Sequence, residues 1–346
     1  MGQNTTEITK LIDVSADRSE AAVILTSIRN GQTFGPVDLS NALLVDEDLS
    51  GLNLAGANLQ GANLAGACLD GTILMGANLR DAVLIGASIN HCEMSGADLE
   101  NANLESCKGE SVGLAGARLC GARMMNLQLR NSSLTGADMS HVVLDGSCLE
   151  ESRLAKVCLK GASLLRCNLQ RVDLAGANVE GAVFTESDLR GATLRTVSGF
   201  EKACWLRTDM REINFAGAYL LRRFANDQNY LDEFRNRNRF SSAVYWLWLI
   251  TSDCGRSLSR WGLLIFVQVI LFACLYTQVG VDYGEHDTWL SPIYFSVVTI
   301  TTLGYGDVLP TTVGGQIVTI CEVVIGYIML GGLLSIFTNK MARRAD

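Results

Sequence analysis

From Leu54 to Leu194 an apolar residue stands at every fifth position, broken at Gly109, and leucine is its commonest occupant. A period of five is neither the 3.6 of a helix nor the 2.0 of a simple strand, so the stretch predicts a repeat architecture. Two residues before most of these positions stands a small residue: Ala57, Ala62 and Ala67, for example, with Cys92, Cys107 and Cys167 in the same slot. The cysteines there read as small core hydrophobes. After Leu194 the phase slips by one residue; Met210, Phe215 and Leu220 resume it as a final partial coil, and Arg195 to Arg207 reads as a bulged loop. Ahead of the repeat, Glu7 to Arg29 carries Ile8, Leu11, Ile12, Ala22, Val23, Leu25 and Ile28 at mixed helical spacing, which predicts a helical cap within residues 1–36.

The last third of the chain has a different pattern. Leu263 to Val279 is apolar apart from Gln268, and Gln316 to Thr338 is a second such run. Each is long enough to span a bilayer as a helix. Between them Trp289 to Thr301 is apolar but too short to span, and it runs into a glycine-containing turn, the shape of a re-entrant loop. The junction from Tyr219 to Ser259 passes from charged residues at helical spacing to Val244, Trp246, Leu247, Trp248 and Ile250, which suits a helix lying in a membrane interface.

The undiluted units Ala57-Asn58-Leu59-Gln60-Gly61 and Ala62-Asn63-Leu64-Ala65-Gly66 resemble the pentapeptide-repeat family. The resemblance implies a right-handed quadrilateral β-helix over residues 37–221, one pentapeptide per side, with Leu54, Leu74, Met94, Leu114 and Leu134 stacked in one column. Alternating large and small inward side chains fill such a narrow tube, and successive coils pair at about 4.8 Å. Its ends are strand edges that need covers.

The turn Thr301-Thr302-Leu303-Gly304-Tyr305-Gly306-Asp307 resembles the selectivity filter of the potassium-channel family, in which backbone carbonyls replace the hydration shell of the ion. Gly304 and Gly306 tolerate the positive φ that alternate residues need if every carbonyl is to face one axis. Residues 261–346 then form an α-helical two-span pore domain, with an outer helix at 261–280, a pore helix at 289–301, the filter at 302–306 and an inner helix at 315–340. The intervening 222–260 is a linker with the interfacial amphipathic helix. The resemblance implies K+ at the carbonyls of Thr302, Leu303, Gly304, Tyr305 and Gly306, supported by Thr301, by Tyr294 and Phe295 of the pore helix, and by Asp307 at the outer end. It places the gating hinge of the inner helix at Gly326, with Gly331 and Gly332 as rivals. Leu303 departs from the usual valine or isoleucine, but its side chain is expected to point away from the ion. Glu322 lies within the second span, where a carboxylate is a site hypothesis by default; it hydrogen-bonds behind the filter, lines a watery crevice, or stays wet near the outer interface.

Composition narrows the function classes. The chain has 346 residues and a net charge of -8, and its basic residues in the repeat are scattered among acids, so no nucleic-acid partner is expected. Eleven cysteines and three histidines without C-x-x-C spacing give no transition-metal site. No nucleophile, base and orienting acid converge, so an enzyme is not expected, and no cofactor beyond K+ as permeant ion. No arginine-repeat helix and no G-x-G-x-x-G after a strand indicate voltage sensing or nucleotide regulation, so the gating ligand or protein partner is unread. One loop supplies a quarter of a ring, hence a homotetramer. Arg256 and Arg260 before the first span and Lys340, Arg343 and Arg344 after the second, against Asp282, Glu285 and Asp287 between them, put both termini in the cytoplasm of a multi-pass protein of the cell (inner or plasma) membrane. No cleavable signal peptide is expected at Met1 to Lys10. The rival reading is a membrane-tethered scaffold whose β-helix recruits a protein partner.

Overall fold

Up to Asn178 each coil of the repeat hydrogen-bonds to the coil twenty residues on, as in Asn53 with Ile73, Ile73 with Glu93 and Glu93 with Gly113, all in parallel register. Twenty residues in four pentapeptides make a four-sided β-helix. This is a computed structural model, and it describes residues 18–30, 37–213, 218–255, 257–284 and 287–345. The expected cap residues Ile8, Leu11 and Ile12, together with Phe215, Arg256 and Glu285, lie outside the described residues. The chain divides into two units, the first ending at Asp232 and the second starting at Glu233.

In the first unit the five-residue unit has a local logic. The inward leucine and the small residue two places before it are buried, Leu54, Leu74, Met94, Leu114 and Leu134 at 0–1% exposure. Each such leucine contributes on the order of 1.5–3 kcal/mol by leaving water. The Asn or Asp before the leucine turns its side-chain oxygen onto the backbone N–H two residues ahead, as Asn53 does to Ala55 (3.1 Å) and Asp138 to Ser140 (3.0 Å). That satisfies a turn donor no coil can reach. The glycine closing the unit takes a left-handed φ, +64° at Gly116, and where it is replaced the same conformation is held by residues such as Asp81 and Asn101.

The break at Gly109 is a size exchange. Gly109 occupies an inward slot in the pairing of β1 (Lys108–Glu110) with β2 (Gln128–Arg130). A Cβ there would meet Val112 Cγ2 at 2.6 Å and Ile89 Cγ1 at 2.7 Å, so the valine that replaces alanine in the next small slot already fills the space. Buried hydroxyls and thiols in small slots are answered by the coil below: Thr72 Oγ1 donates to Leu49 O (2.8 Å) and Cys107 Sγ to Leu84 O (2.8 Å).

Both ends are covered. Helix α1 (Arg18–Arg29) packs Leu25, with Ile24 and Ile28, on the core, and Arg29 donates to Asp48 O. At the other end the sequence expectation needs correction. The one-residue slip is present, Val183 pairing with Cys204 and Asp188 with Asp209, and its cause is a 3-10 turn at Phe200–Lys202 entered through Gly199 at φ 74°. The coil resumes already at Ala203, so Arg195 to Arg207 is not one loop. The last fully buried inward residue is Trp205, stacked on Phe184 with ring centroids 4.4 Å apart, and Met210 follows it, partly buried against the same core as the five-residue phase expects. Leu220 is not in a coil: it is half exposed on helix α2 (Tyr219–Asn236), which ends the β-helix before residue 221. Within α2, Leu221 and Ala225 are buried, and two amide side chains take the place of the absent next coil. Gln228 accepts from Trp205 N (2.8 Å) and donates to Ala203 O (2.9 Å); Asn229 accepts from Arg207 N (2.7 Å) and donates to Trp205 O (3.3 Å). An open strand edge is thereby closed.

The second unit is helical. Helix α3 (Arg239–Ser252) opens with a capping box in which Asn238 accepts from Ser241 N at 2.7 Å and Ser241 Oγ accepts from Asn238 N at 3.0 Å. It leaves Phe240, Leu247 and Ile250 exposed. Helix α4 (Leu258–Tyr276), the outer helix, and helix α6 (Val313–Ala345), the inner one, are long and apolar enough to cross a membrane. Between them stands the short α5 (Ser291–Ile300), started by Pro292 in its first turn. Strands β3 (Val281–Asp282) and β4 (Leu309–Pro310) pair antiparallel, Val281 opposite Pro310, and tie the segment before α5 to the one after it.

Candidate functional site

The loop after α5 carries the chemistry. Helix α5 ends by folding its last turn back on itself: Thr301 N donates to Val297 O (3.1 Å), Thr302 N to Thr299 O (3.0 Å) and Leu303 N to Val298 O (3.1 Å). From there the backbone alternates. Thr302, Gly304 and Gly306 have φ of 57°, 52° and 79°, whereas Leu303 and Tyr305 are not among the positive-φ residues. Strict alternation of left-handed and ordinary residues turns successive carbonyls to the same side of the chain, in place of the two sides of a strand. Sequence reasoning expected this of the two glycines and missed Thr302, a β-branched residue for which left-handed φ is a strained conformation of the kind that clusters at functional sites. A Cβ at Gly304 or Gly306 would meet nothing within 4 Å. What demands glycine there is the backbone conformation, not crowding.

Around this loop the structure brings together most of the residues named from sequence. Tyr294 Oη donates to Asp307 Oδ2 at 2.7 Å, clipping the outer end of the loop to α5. Phe295 is buried and lies against Tyr276 of α4, ring centroids 4.6 Å apart, in a cluster with Phe272 and Val308. Thr301 turns its hydroxyl back to Val297 O (2.6 Å) and so closes the helix end.

Glu322 is fully buried and hydrogen-bonded through both carboxylate oxygens. Tyr276 Oη donates to Glu322 Oε2 at 2.6 Å, and Ser296 Oγ donates to Glu322 Oε1. One inner-helix carboxylate thus holds the outer helix with one oxygen and α5 with the other, one turn of α5 before the alternating segment. Tyr276 and Ser296 were not singled out from sequence. Their signal was weak, a hydroxyl each in apolar runs, and only the partner makes it legible.

The three glycines of the inner helix separate. α6 is one continuous helix through all of them. At Gly326 a Cβ would lie 2.8 Å from Ile300 O, the last residue of α5, so glycine there lets two backbones touch. At Gly332 a Cβ would enter the indole of Trp261, whose Nε1 donates to Met329 O at 2.8 Å. Gly331 has nothing within 4 Å of that position.

Comparison with known proteins agrees with this division. Residues 261–343 match the family model for ion channels, and copies of the pentapeptide repeat are matched between residues 37 and 198. Two-pore potassium channel 4 of Arabidopsis thaliana is 32% identical over 87 residues, 23% of this chain and 31% of that protein. The calcium-gated potassium channel TvoK of Thermoplasma volcanium is 36% identical over 87 residues, 23% of this chain and 25% of that protein. The chain thus spans under a third of the length of these relatives. Among solved structures, the pentapeptide repeat protein HetL, involved in heterocyst differentiation regulation in the cyanobacterium Nostoc, is 26% identical, covering 56% of this chain and 94% of its own, with a TM-score of 0.35. With a repeat whose register is twenty and a helix-loop-helix unit matched by the channel model, this chain is a pentapeptide-repeat protein joined in series to a two-span membrane domain of the ion channel family.

Proposed function

We propose that the chain is one of four identical subunits of a potassium-selective channel that conducts passively, with the carbonyls of Thr302, Leu303, Gly304, Tyr305 and Gly306 as the ion's ligands. The observation that supports this reading best is the alternation of φ through Thr302, Gly304 and Gly306. A single chain so folded presents one wall of oxygens, and a cation stripped of water needs a ring of them, which four copies about one axis supply. No step here needs a nucleophile or a proton carrier: the work of the site is to replace hydration with preorganised dipoles.

Both termini are cytoplasmic in this reading, so the β-helix hangs in the cytosol of the cell that carries the channel in its plasma or inner membrane, where it regulates opening or assembly. The inner-helix bend belongs at Gly331, because Gly326 and Gly332 are both engaged in packing. The test is flux from proteoliposomes holding the purified chain, loaded with potassium or with sodium as the only cation. Potassium efflux at least tenfold above sodium is expected. Equal rates would overturn selectivity, and no flux of either ion would overturn conduction.

A further inference from the structure

The four sides of the β-helix are not chemically alike. Because coils register at twenty residues, the outward positions of each side form two columns running along the rod. On the side that begins at Leu43, one column sets Leu43, Val83, Val143 and Val183 among Asn63, Asn103, Arg123 and Ser163, and the other sets Ile85, Met125 and Leu165 among Glu105, Asp145 and Thr185, the apolar residues all at least partly exposed. The two adjoining sides are polar and carry ion pairs: Arg80 and Arg118 pair with Asp98 and Glu100 on one, Arg190 with Asp188 on the other. On the Leu43 side Asp145 accepts from Ser163 Oγ (2.5 Å) and Leu165 N (3.0 Å) of its own chain. Arg123 and Glu105 lie among the hydrophobic residues of that side and make no side-chain hydrogen bond or ion pair among the described residues.

We propose that this side is where the rods of two copies pair, parallel, about a two-fold axis running along the rod. The inference rests on the tetramer proposed above, which keeps the copies at high mutual concentration. The choice of a second copy follows from size and from charge. The side is about 40 Å long and about 10 Å wide, on the order of 400 Å², half the roughly 800 Å² per partner of a free-standing interface. Such a face pairs poorly in dilute solution and readily when a linkage raises the effective concentration to the millimolar range.

The parallel sense follows from the columns. A two-fold axis along the rod lays the first column of one copy on the second column of the other at equal height, so Val83 meets Ile85 of the partner subunit. Arg123 then falls between Glu105 of the partner subunit and Asp145 of the partner subunit, each about one coil spacing, 4.8 Å, above or below. An antiparallel pair in full overlap sets each column on itself, with Arg123 opposite Asn103 of the partner subunit and one coil spacing from Arg123 of the partner subunit, a like-charge neighbour at the centre. Four rods therefore associate two and two, and the soluble part of the assembly has lower symmetry than a four-fold pore.

The full-length chain in lipid nanodiscs, with a photoreactive benzoylphenylalanine in place of Ile85, tests this. Irradiation is expected to give covalent dimers without higher ladders, with the crosslinked peptide containing Val83. The same probe replacing Gln60 on an adjoining polar side is expected to give none. Arg123→Glu should lower the dimer yield at least fivefold, and adding Glu105→Arg should restore at least half of it. Tetramers by native mass spectrometry that give no crosslink from Ile85, an equal one from Gln60, or a yield indifferent to Arg123→Glu would overturn the pairing. Monomers would overturn the tetramer as well, so the two failures are distinguishable.

Discussion

The two units of this chain are held by opposite means. In the β-helix each inward position is one rung of a column, and what Leu114 does at its coil Leu134 does at the next, both fully buried. In the helical unit single residues each hold a join that nothing duplicates: Glu322 ties three helices, Trp261 anchors the outer helix to Met329 O, and Gly326 admits the end of α5. Repetition spreads consequence over many residues, whereas a lone contact concentrates it. The same substitution should therefore have unlike effects in the two units.

The sharpest form of that contrast uses one substitution, glycine to alanine, at two sites with matching backbone. Gly304 at φ 52° and Gly116 at φ 64° both have open space where a Cβ would stand, and left-handed φ costs a residue with a side chain roughly 1–2 kcal/mol at either. In the rod that cost falls on one turn among many, and residues such as Asn101 and Asp81 already occupy equivalent positions. Gly116→Ala should leave potassium flux unchanged and lower the melting temperature slightly. In the proposed filter a relaxed φ turns a carbonyl out of line, and Gly304→Ala should cut flux by at least a hundredfold while native mass spectrometry still records the same oligomer. Equal effects of the two would erase the comparison.

Next in size is the buried carboxylate. Glu322→Ala leaves the Ser296 hydroxyl without its acceptor, at about 1–3 kcal/mol for a group so orphaned, and leaves Tyr276 Oη with the longer bond to Thr319 Oγ1 at 3.4 Å. A fall in the melting temperature of the purified protein well beyond that of Glu322→Gln, which keeps an acceptor at the same place, is the expected result. If glutamine proves as damaging as alanine, the charge and not the hydrogen bonds holds the helices.

A smaller effect separates the inner-helix glycines. Gly326→Ala pushes a methyl into Ile300 O and should reduce both stability and flux. Gly331→Ala meets nothing and should change open probability in single-channel recordings with the melting temperature unmoved. A Gly331→Ala channel that gates like the parent would return the bend to a packed glycine.

How much of this was legible in the sequence divides along the same line. A repeated pattern corrects its own reading, so the column of Leu54, Leu74, Met94, Leu114 and Leu134 and the twenty-residue register could be stated from period and family resemblance. The end of the rod could not, because it rests on particulars: the 3-10 turn after Gly199 that absorbs the extra residue, Trp205 stacked on Phe184, and Gln228 and Asn229 standing in for a missing coil. Extending the five-residue phase past that turn placed Leu220 in a coil when it belongs to a helix. In the pore unit the turn from Thr301 to Asp307 was legible because a backbone that must alternate restricts its residues. The partners of Glu322 were not, since a serine and a tyrosine in apolar runs become polar anchors only when folding brings one carboxylate to both.

The cysteines give the mildest test of the comparison, within the rod alone. Cys92, Cys107 and Cys167 stand in inward small slots, whereas Cys68, Cys120, Cys148, Cys158 and Cys204 lie partly exposed. Burial pushes each of the three inward thiols up to about 12, so at pH 8 the thiolate that attacks an alkylating reagent is scarce as well as sealed from it. Iodoacetamide at that pH should label the five partly exposed cysteines in the folded chain within minutes and reach the inward three only with denaturant, as peptide mass spectrometry would record. The pace of that second labelling reports how the rod opens. If stability is shared along the columns, Cys92, Cys107 and Cys167 should become reactive over the same narrow range of denaturant although they lie in different coils; separate midpoints would mean that the coils open one by one and that repetition spreads the load less evenly than the columns imply.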